Sequence, residues 1–345
     1  MLKNLRLEHF RSHTALDLEL GNQTVLVGPN GAGKTNMLEA VFFLATTSSF
    51  RTSRENVLIE AGQDVARVVG DDLTAILQAD GNRTKKQFRL RGVTKRLVDI
   101  PGELPVVLFS PELLQIFAAG PVERRRLFNI AISQHDRLYS ARLGRFKEIV
   151  RQRNALLQAI RDNRGKEDEL NFWDTQVITE GEAIMAARAA HLEAIIKQLP
   201  AVADILPGAA GAAVEYKPST DHWGTLEAAL KANLRSDIRY GQTTVGPHRD
   251  DFVFLLGGRP VALYGSRGEW RRVMLSYQFA ELLYLESLGK QPLLLLDDAF
   301  SELDESHRLE LSDAILERNV LLTTTEVGIL SDKLKKSAKI ITISK

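Results

Sequence analysis

The chain lacks cysteine altogether and carries almost no net charge. None of its 345 residues is Cys, which excludes disulfide bonds, thiolate zinc sites and thiol catalysis and fits a cytoplasmic protein. The formal net charge is only +1, so the overall field does not attract an anionic partner. A nucleic acid would have to be held by local basic patches.

Long apolar runs are also missing. No run reaches the roughly 18 apolar residues that a membrane-spanning helix requires, so we expect no membrane association. The first residues alternate between apolar and polar side chains instead of forming the apolar core of a signal peptide. An apolar content of 44% and a charged content of 26% are typical of a soluble globular protein, and 345 residues suffice for two domains.

A glycine-rich stretch of the form G-x-x-x-x-G-K-T follows an apolar run with strand character. Its glycines let backbone N–H groups approach an anion, and the helix expected behind it adds the positive end of its dipole. Lys34 can then reach the β- and γ-phosphates, and the Thr35 hydroxyl can ligate Mg²⁺. The alternative is a glycine-rich turn that binds nothing. We predict a nucleotide site formed by Gly28, Pro29, Asn30, Gly31, Ala32, Gly33, Lys34, Thr35 and Asn36.

A second apolar run ends in two aspartates, Asp297 and Asp298. The four leucines before them, preceded by Pro292, predict a buried parallel strand. Such a strand is the second half of a P-loop ATPase site. Asp297 would hold Mg²⁺ together with Thr35, and Asp298 would orient or deprotonate the attacking water. The alternative is an acidic helix cap after a strand.

Ser266, Arg267, Gly268 and Glu269 stand at the start of another predicted helix. A loop-to-helix junction with Ser and Gly suggests a second anion site. Because one P-loop already occupies one side of a triphosphate, this site makes sense if it serves the nucleotide of a partner copy. Taken alone, the tetrapeptide is explained better as an ordinary capped helix.

Residues 65–98 alternate between apolar and polar side chains and are broken by glycine-containing turns, one of them at residues 80–82. This pattern predicts β-hairpins. A charged edge strand and a contact surface for phosphates explain the basic residues of the segment equally well. These residues are Arg83, Lys85, Lys86, Arg89, Arg91, Lys95 and Arg96.

The middle of the chain has helical periodicity. We predict a helix that starts at residues 110–112, a long helix over residues 121–163, and a second long helix over residues 170–199 that ends at Pro200, Pro207 and Gly208. The two long helices would form an antiparallel arm. Both ends of the chain alternate between strands and helices. We therefore predict an α/β head from residues 1–110 plus 245–345, with a helical domain inserted at residues 111–244.

The motifs together resemble those of the RecF family of bacterial ATPases, which is related to SMC proteins and ABC ATPases. The matching stretches come in the family's order and cover the whole chain. The Gly-Pro-His-Arg-Asp-Asp and Asp-Asp-x-Phe-Ser-Glu-Leu-Asp stretches are the most discriminating. The matches are residues 28–40, 49–54, 109–112, 124–126, 245–251, 266–269 and 296–304.

This resemblance implies a role for each motif. The P-loop would be Walker A, Asp297 the Walker B magnesium ligand, and Asp298, with Lys34, the catalytic pair. Residues 266–269 would be a signature motif acting in trans, and residues 301–304 a D-loop at the dimer seam. One of the hydroxyls of residues 323–325, with Thr324 as the candidate, would sense the γ-phosphate, because ABC ATPases place a switch histidine there.

The chain departs from its relatives in having Trp270 after the signature. An aspartate is usual in this family at the position of Asp298. It is shorter than the glutamate of ABC ATPases, so we predict slow hydrolysis.

The resemblance also implies a function and its partners. ATP would drive a homodimer that holds double-stranded DNA near single-strand gaps, and hydrolysis would reset it. Mediators of the RecO and RecR kind would help it load RecA on gapped DNA. The protein would be cytoplasmic, associated with the nucleoid and linked to the SOS response. We expect DNA contacts, from charge alone, at Arg51, Arg54, Lys85, Lys86, Arg89, Arg124 and Arg125.

Three alternatives remain at this stage. An ABC-transporter ATPase subunit would need a groove for a membrane partner, which the predicted arm and basic hairpins do not suggest. An SMC-like tether would need much longer coiled coils. For residues 248–251, a polar network is favoured over a metal site, because a strand points alternate residues to opposite faces.

Overall fold

The computed structural model describes residues 2–81, 83–206, 210–301 and 303–344. The chain divides into two compact units. The first unit comprises Met1–Gln115, Gln198–Ala212 and Gly265–Lys345, and the second comprises Ile116–Lys197 and Ala213–Tyr264. The predicted boundaries differ from these units in three places. Residues 111–115 and 198–212 belong to the first unit, and residues 245–264 belong to the second, where the strand Asp251–Leu256 pairs with the strand Ala212–Lys217.

The described residues form strands at both ends of the chain, as predicted. In chain order the strands are β1 Asn4–Phe10, β2 His13–Glu19, β3 Gln23–Val27, β4 Val65–Gly70, β5 Leu73–Asp80, β6 Arg83–Leu90, β7 Val93–Lys95, β8 Val106–Phe109, β9 Ala212–Lys217, β10 Asp251–Leu256, β11 Arg259–Pro260, β12 Leu293–Leu296, β13 Asn319–Thr324 and β14 Lys339–Thr342. Asn82, in a predicted turn, lies outside the described residues.

Helices cover most of the middle of the chain and connect the strands near its C-terminus. They are α1 Lys34–Thr46, α2 Pro121–Ser133, α3 Arg137–Arg161, α4 Leu170–Ile205, α5 Leu226–Tyr240, α6 Val261–Tyr264, α7 Arg267–Ser287, α8 Glu305–Ile315 and α9 Asp332–Ser337. The helix predicted at residues 110–112 is a 3₁₀ helix, Pro111–Phe117. Among the described residues, no helix combines the length and the apolar character needed to cross a lipid bilayer.

Two sheets build the first unit. The antiparallel sheet has the order β2-β1-β4-β5-β6-β7, and the parallel sheet the order β14-β3-β13-β12-β8. The leucines of β12 are all buried, as the apolar run predicts. Strand β14 is largely exposed because it lies at the end of this sheet, next to β3. Residues that follow β3, β13 and β12 therefore reach the same edge of this sheet.

The second unit packs α3, α4 and α5 around one apolar core that includes Phe146, Ile184 and Leu230. The single helix predicted over residues 121–163 is in fact two helices, because Asp136 caps a new helix by accepting from Tyr139 N at 3.0 Å. Helix α4 continues through Pro200, contrary to prediction. Pro207 and Gly208 lie outside the described residues. Strand β10 is followed by the two-residue strand β11 and then by α6.

Candidate nucleotide-binding site

The glycine-rich loop between β3 and α1 needs its glycines for conformation and for space. Gly31 and Gly33 have φ of 80° and 88°, a left-handed region that other residues avoid. A Cβ on Gly33 would lie 2.6 Å from His13 Nε2, and one on Gly28 would collide with the carbonyl oxygen of Ile343. Pro29, Asn30 and Gly31 form the exposed crest of the loop, whereas Ala32 below them is buried.

Lys34 is held inside this loop. Its ammonium donates to the carbonyl oxygens of Gly28, at 2.7 Å, and of Pro29, at 3.0 Å. The side chain is buried with neutral acceptors, so an anionic oxygen at the loop would be a stronger partner for it.

The two halves of the predicted site meet at the edge of the parallel sheet. The Thr35 hydroxyl donates to both carboxylate oxygens of Asp297, at 2.9 Å each. Thr323, from the strand between them, donates to Asp297 Oδ1 at 2.7 Å. The strand order β3-β13-β12 produces this arrangement, because β13 separates the loop strand from the aspartate strand.

Asp297 is a buried carboxylate, and its hydrogen-bond partners among the described side chains are the two neutral threonine hydroxyls. Burial is the main cause that raises its pKa above the ordinary value, and the charges of Glu112 and Asp298 raise it further. The two threonine hydroxyls lower it.

Mg²⁺ fits this environment, because it prefers oxygen ligands and usually binds to one or two protein side chains, with phosphates and water completing its shell. Within the described ranges no group of three or more His, Cys, Asp or Glu side chains is arranged for a metal.

Asp298 has an unusual conformation next to this carboxylate. Its φ is 47°, and its backbone N–H donates to Thr323 Oγ1 at 2.9 Å. In the part of the chain that the structure describes, its buried Oδ1 has no hydrogen-bond partner. Strained backbone and an unsatisfied buried acceptor are typical of functional positions.

Thr324 does not face this site. It is fully buried, and its hydroxyl donates to the carbonyl oxygen of Glu326 at 3.1 Å. The predicted γ-phosphate contact through Thr324 is therefore wrong. Neighbouring residues of a strand point to opposite faces, and it is Thr323 whose hydroxyl lies between Asp297 and Asp298.

Arg51, predicted to contact DNA, lies beside the nucleotide loop instead. Its guanidinium donates to Asn36 Oδ1 at 2.9 Å and lies 3.5 Å from the Glu39 carboxylate and 3.6 Å from that of Glu112. The sequence analysis missed Glu39 and Glu112. Glu39 could have been predicted, because it lies three residues after Asn36 on the same face of α1.

The signature residues form the exposed first turn of α7. Ser266 Oγ accepts from Glu269 N at 3.3 Å, while Ser266 N donates to Glu269 Oε2 at 2.7 Å, so the pair is a capping box. Arg267 and Gly268 are exposed, and Trp270 is half-buried. In the D-loop, Ser301 Oγ donates to the Asp298 carbonyl oxygen at 2.9 Å, and Glu302 lies outside the described residues.

The remaining predicted DNA contacts divide into two groups. Arg54, Lys85 and Arg89 are exposed. Lys86 is on the other face of β6 and makes an ion pair with Glu55 at 2.5 Å, with 16% of its side chain exposed. As a DNA contact, the Lys86 prediction is therefore wrong.

Arg124 and Arg125 are also wrong as DNA contacts. Arg124 donates to both carboxylate oxygens of Asp251, at 2.7 and 2.8 Å, and Arg125 donates to the carbonyl oxygen of Asp250. Burial lowers the pKa of Arg125.

Asp250 and Asp251, within residues 248–251, take part in a polar network, the kind of arrangement that the sequence favours. Asp250 is completely buried and accepts from Arg188 Nη1 at 2.9 Å, from Ser219 N at 2.8 Å and from the Tyr216 hydroxyl. Such a network fixes the end of β10 against the helices of the second unit, because each partner satisfies the buried charge.

Comparison with known proteins decides the family. The sequence profile of the RecF/RecN/SMC N terminal domain matches residues 1–344. The DNA replication and repair protein RecF of Moorella thermoacetica is 35% identical over 345 residues, covering 96% of this chain and 92% of that protein. The chain belongs to the RecF family. RecF of Lachnoclostridium phytofermentans is similar in the same way, at 36% identity over 94% of this chain and 92% of the relative.

Solved structures confirm the fold that the family implies. The recombination mediator protein RecF-ATPrS in the RecFOR pathway has a TM-score of 0.85 at 27% identity, covering 100% of this chain and 96% of that chain. An Smc head bound to the C-winged helix domain of ScpA has a TM-score of 0.53 at 17% identity, over 100% of this chain and 94% of that one. The predicted class, an ABC/SMC-type P-loop ATPase head with an inserted helical domain bearing a short antiparallel arm, is confirmed. The chain therefore belongs with ATP-binding proteins of DNA replication and repair.

Proposed function

We propose that the chain is an ATP-driven clamp on double-stranded DNA that acts near single-strand gaps in recombinational repair. ATP joins two copies into a homodimer, and slow hydrolysis separates them. RecR- and RecO-type mediators are its partners, and loading of RecA on gapped DNA is the outcome. The observation that carries the proposal is the contact of Thr35 Oγ1 with both carboxylate oxygens of Asp297, at 2.9 Å each, since it joins the two halves of an ATPase site.

Binding begins at the glycine-rich loop. An entering γ-phosphate replaces the neutral carbonyl acceptors of Lys34 by a charged one, which strengthens the hydrogen bonds of its ammonium. Thr35 and Asp297 would hold Mg²⁺, which would supply positive charge against the phosphates. Arg51, held by Asn36 and Glu112, adds positive charge to the start of α1. A similar structure of RecF-ATP, with a TM-score of 0.85 and 28% identity over 96% of this chain and 93% of that one, supports ATP as the nucleotide.

Hydrolysis depends on Asp298. Its unsatisfied Oδ1 can accept a hydrogen bond from a water and take its proton as general base. The strained φ of 47° fixes the direction of the carboxylate. We expect turnover below roughly 1 s⁻¹, the low end of enzyme rates, because the short side chain reaches less far than glutamate.

The exposed first turn of α7 completes the site of a second copy. The backbone N–H groups of Arg267 and Gly268 and the Arg267 guanidinium offer donors and positive charge to a γ-phosphate. This motif supports a dimer because the chain's own phosphate loop lies at a different helix, α1.

Sedimentation in ATP, in ADP and without nucleotide tests the proposal. We expect a lasting dimer only for Asp298→Asn in ATP, a transient one for the wild type, and monomers for Lys34→Met and Ser266→Asp. Aspartate keeps the N-cap of α7, so Ser266→Asp adds a like charge at the γ-phosphate without removing the cap. Tight ATP binding with no change of mass in any variant would contradict the clamp.

A further inference from the structure

Helix α3 has a basic face that the nucleotide site does not explain. Its single acidic residue is Glu148, and its basic residues are Arg137, Arg142, Arg145, Lys147, Arg151, Arg153 and Arg161. The opposite side of the helix is buried through Tyr139, Phe146 and Leu157. Of the basic residues, Arg153 is buried in ion pairs with Asp174 and Asp237. Arg137, Lys147 and Arg151 are among the exposed cations of α3.

The exposed cations lie in one line with small residues. Arg137, Ser140, Gly144, Lys147 and Arg151 follow each other at intervals of three or four residues, so they share one side of the helix. Of these, Arg137, Gly144, Lys147 and Arg151 are exposed, and Ser140 is half-buried. At 1.5 Å per residue the line is about 21 Å long. It therefore exceeds the roughly 12 Å width of the DNA major groove, and it can reach phosphates on both of its rims.

Neighbouring acids neutralise this side of the helix only in part. One carboxylate, Glu180, lies 2.8 Å from Arg145 and 3.9 Å from Arg142. Glu148 binds Arg151 at 2.6 Å, and 71% of the arginine side chain is still exposed. Among the residues that the structure describes, no acidic side chain pairs with Lys147. A net positive charge therefore remains along the line.

Gly144 provides an independent observation. It stands inside α3, and a Cβ placed on it would meet nothing within 4 Å. A glycine in a helix interior costs about 1 kcal/mol relative to alanine, and packing within the described chain does not require one here. Close approach of a large ligand would require it.

We infer that this side of α3, formed by Arg137, Ser140, Gly144, Lys147 and Arg151, binds the sugar-phosphate backbone of double-stranded DNA. The inference rests on the proposed function and adds a DNA surface in the second unit to the exposed strand β6 of the first. Arginine, lysine and serine side chains are the usual donors to DNA phosphates. The family acts in DNA replication and repair, which favours DNA over an acidic protein.

Fluorescence anisotropy with a duplex of about 30 base pairs and a non-hydrolysable ATP analogue, in a salt series, tests the inference. Replacing Lys147 and Arg151 together by Gln should weaken binding about tenfold or more and lower the salt slope by about 1 per lost phosphate contact. The matched control replaces Lys197 and Lys231, which are equally exposed cations on α4 and α5, and should bind as the wild type does.

Two further variants change binding in opposite directions. Glu148→Gln frees Arg151 and should tighten binding. Gly144→Leu should weaken it strongly by blocking approach, and Gly144→Ala should weaken it less while raising the melting temperature.

Unchanged affinity and salt slope in the Lys147 and Arg151 double variant, with a wild type that binds DNA, would overturn this inference alone. Failure of the wild type to bind duplex DNA in the presence of the ATP analogue would overturn the proposed clamp. If the double variant loses affinity for polyglutamate but not for DNA, the surface serves an acidic protein and the inference is wrong.

Discussion

At the scale of single residues, Asp297 combines a cost in stability with a role at the nucleotide. Burial raises its pKa, so above the unfolded value of about 3.9 its ionisation opposes folding. We expect Asp297→Asn to raise the free energy of unfolding of the nucleotide-free protein by about 1 kcal/mol at pH 7, measured by urea denaturation. Mg²⁺ and ATP should then stabilise the wild type but not the variant.

Asp304→Asn is the matched control for Asp297. Backbone and side-chain hydrogen bonds from His307 lower the pKa of Asp304 to about 2, so ionisation of this exposed cap supports folding and its loss should destabilise. If both variants lose stability without nucleotide, the account of Asp297 is wrong.

His248 should make stability depend on pH. Burial lowers its pKa to about 4, although Asp250 nearby favours the charged form, and Nε2 donates to the Thr243 carbonyl oxygen at 3.0 Å. Because an unfolded histidine has a pKa of about 6.5, the unfolded state binds the proton first as pH falls. The stability that the neutral His248 ring contributes is fully present above pH 6.5 and is lost as the pH falls to about 4. Its size is roughly 2–3 kcal/mol.

The slope of unfolding free energy against pH in wild type and His248→Gln measures this effect. The variant should lack the part of the slope between pH 6.5 and 4, since glutamine donates the same hydrogen bond without titrating. Equal slopes in the two proteins would contradict this account of His248.

Motif spacing predicted the pair Thr35 and Asp297 because each follows a strand at a fixed distance. It could not choose among three consecutive threonines, because the pairing of Thr323 with Leu26 and of Thr324 with Val27 depends on the register of β13. Nor could charge alone distinguish Arg51, which acidic residues of distant segments surround, from a free surface cation.

At the scale of elements, strand β6 places the adjacent residues Lys85 and Lys86 on its two opposite faces. The side chain of Lys85 is 72% exposed, whereas Lys86 reaches across to Glu55 and the Thr47 carbonyl oxygen. We expect Lys85→Gln to weaken DNA binding and its salt dependence with little change in melting temperature, and Lys86→Gln to lower the melting temperature. Anisotropy and thermal unfolding on both variants measure this, and similar effects of the two substitutions would contradict the assigned faces.

Element type followed from the sequence more readily than element ends. Alternation predicted the strands within residues 65–98, and apolar runs predicted β3 and β12. The break before α3 depends on Asp136 as a cap, which the apolar periodicity around it hides. A proline removes one backbone hydrogen-bond donor and often ends a helix. Helix α4 nevertheless continues past Pro200, where its end was predicted.

At the scale of the whole molecule, the division into units follows strand pairing. Residues 245–264 follow the helical region and look like a return to the head, yet β10 pairs with β9 and lies in the second unit. Sequence alternation identifies strands but not their partners, so the predicted boundary failed there.

The central claim is that each ATP site is shared by two copies. Mixing Lys34→Met protein with Ser266→Asp protein tests it directly by ATP hydrolysis, since each variant alone has two damaged sites. A mixed dimer has one site in which an intact P-loop meets an intact signature. Because each variant alone stays monomeric, the dimers that form are mixed and carry one intact site of two, so we predict recovery of up to about half of wild-type activity at equal concentrations. A mixture no more active than the sum of its parts would contradict the shared site.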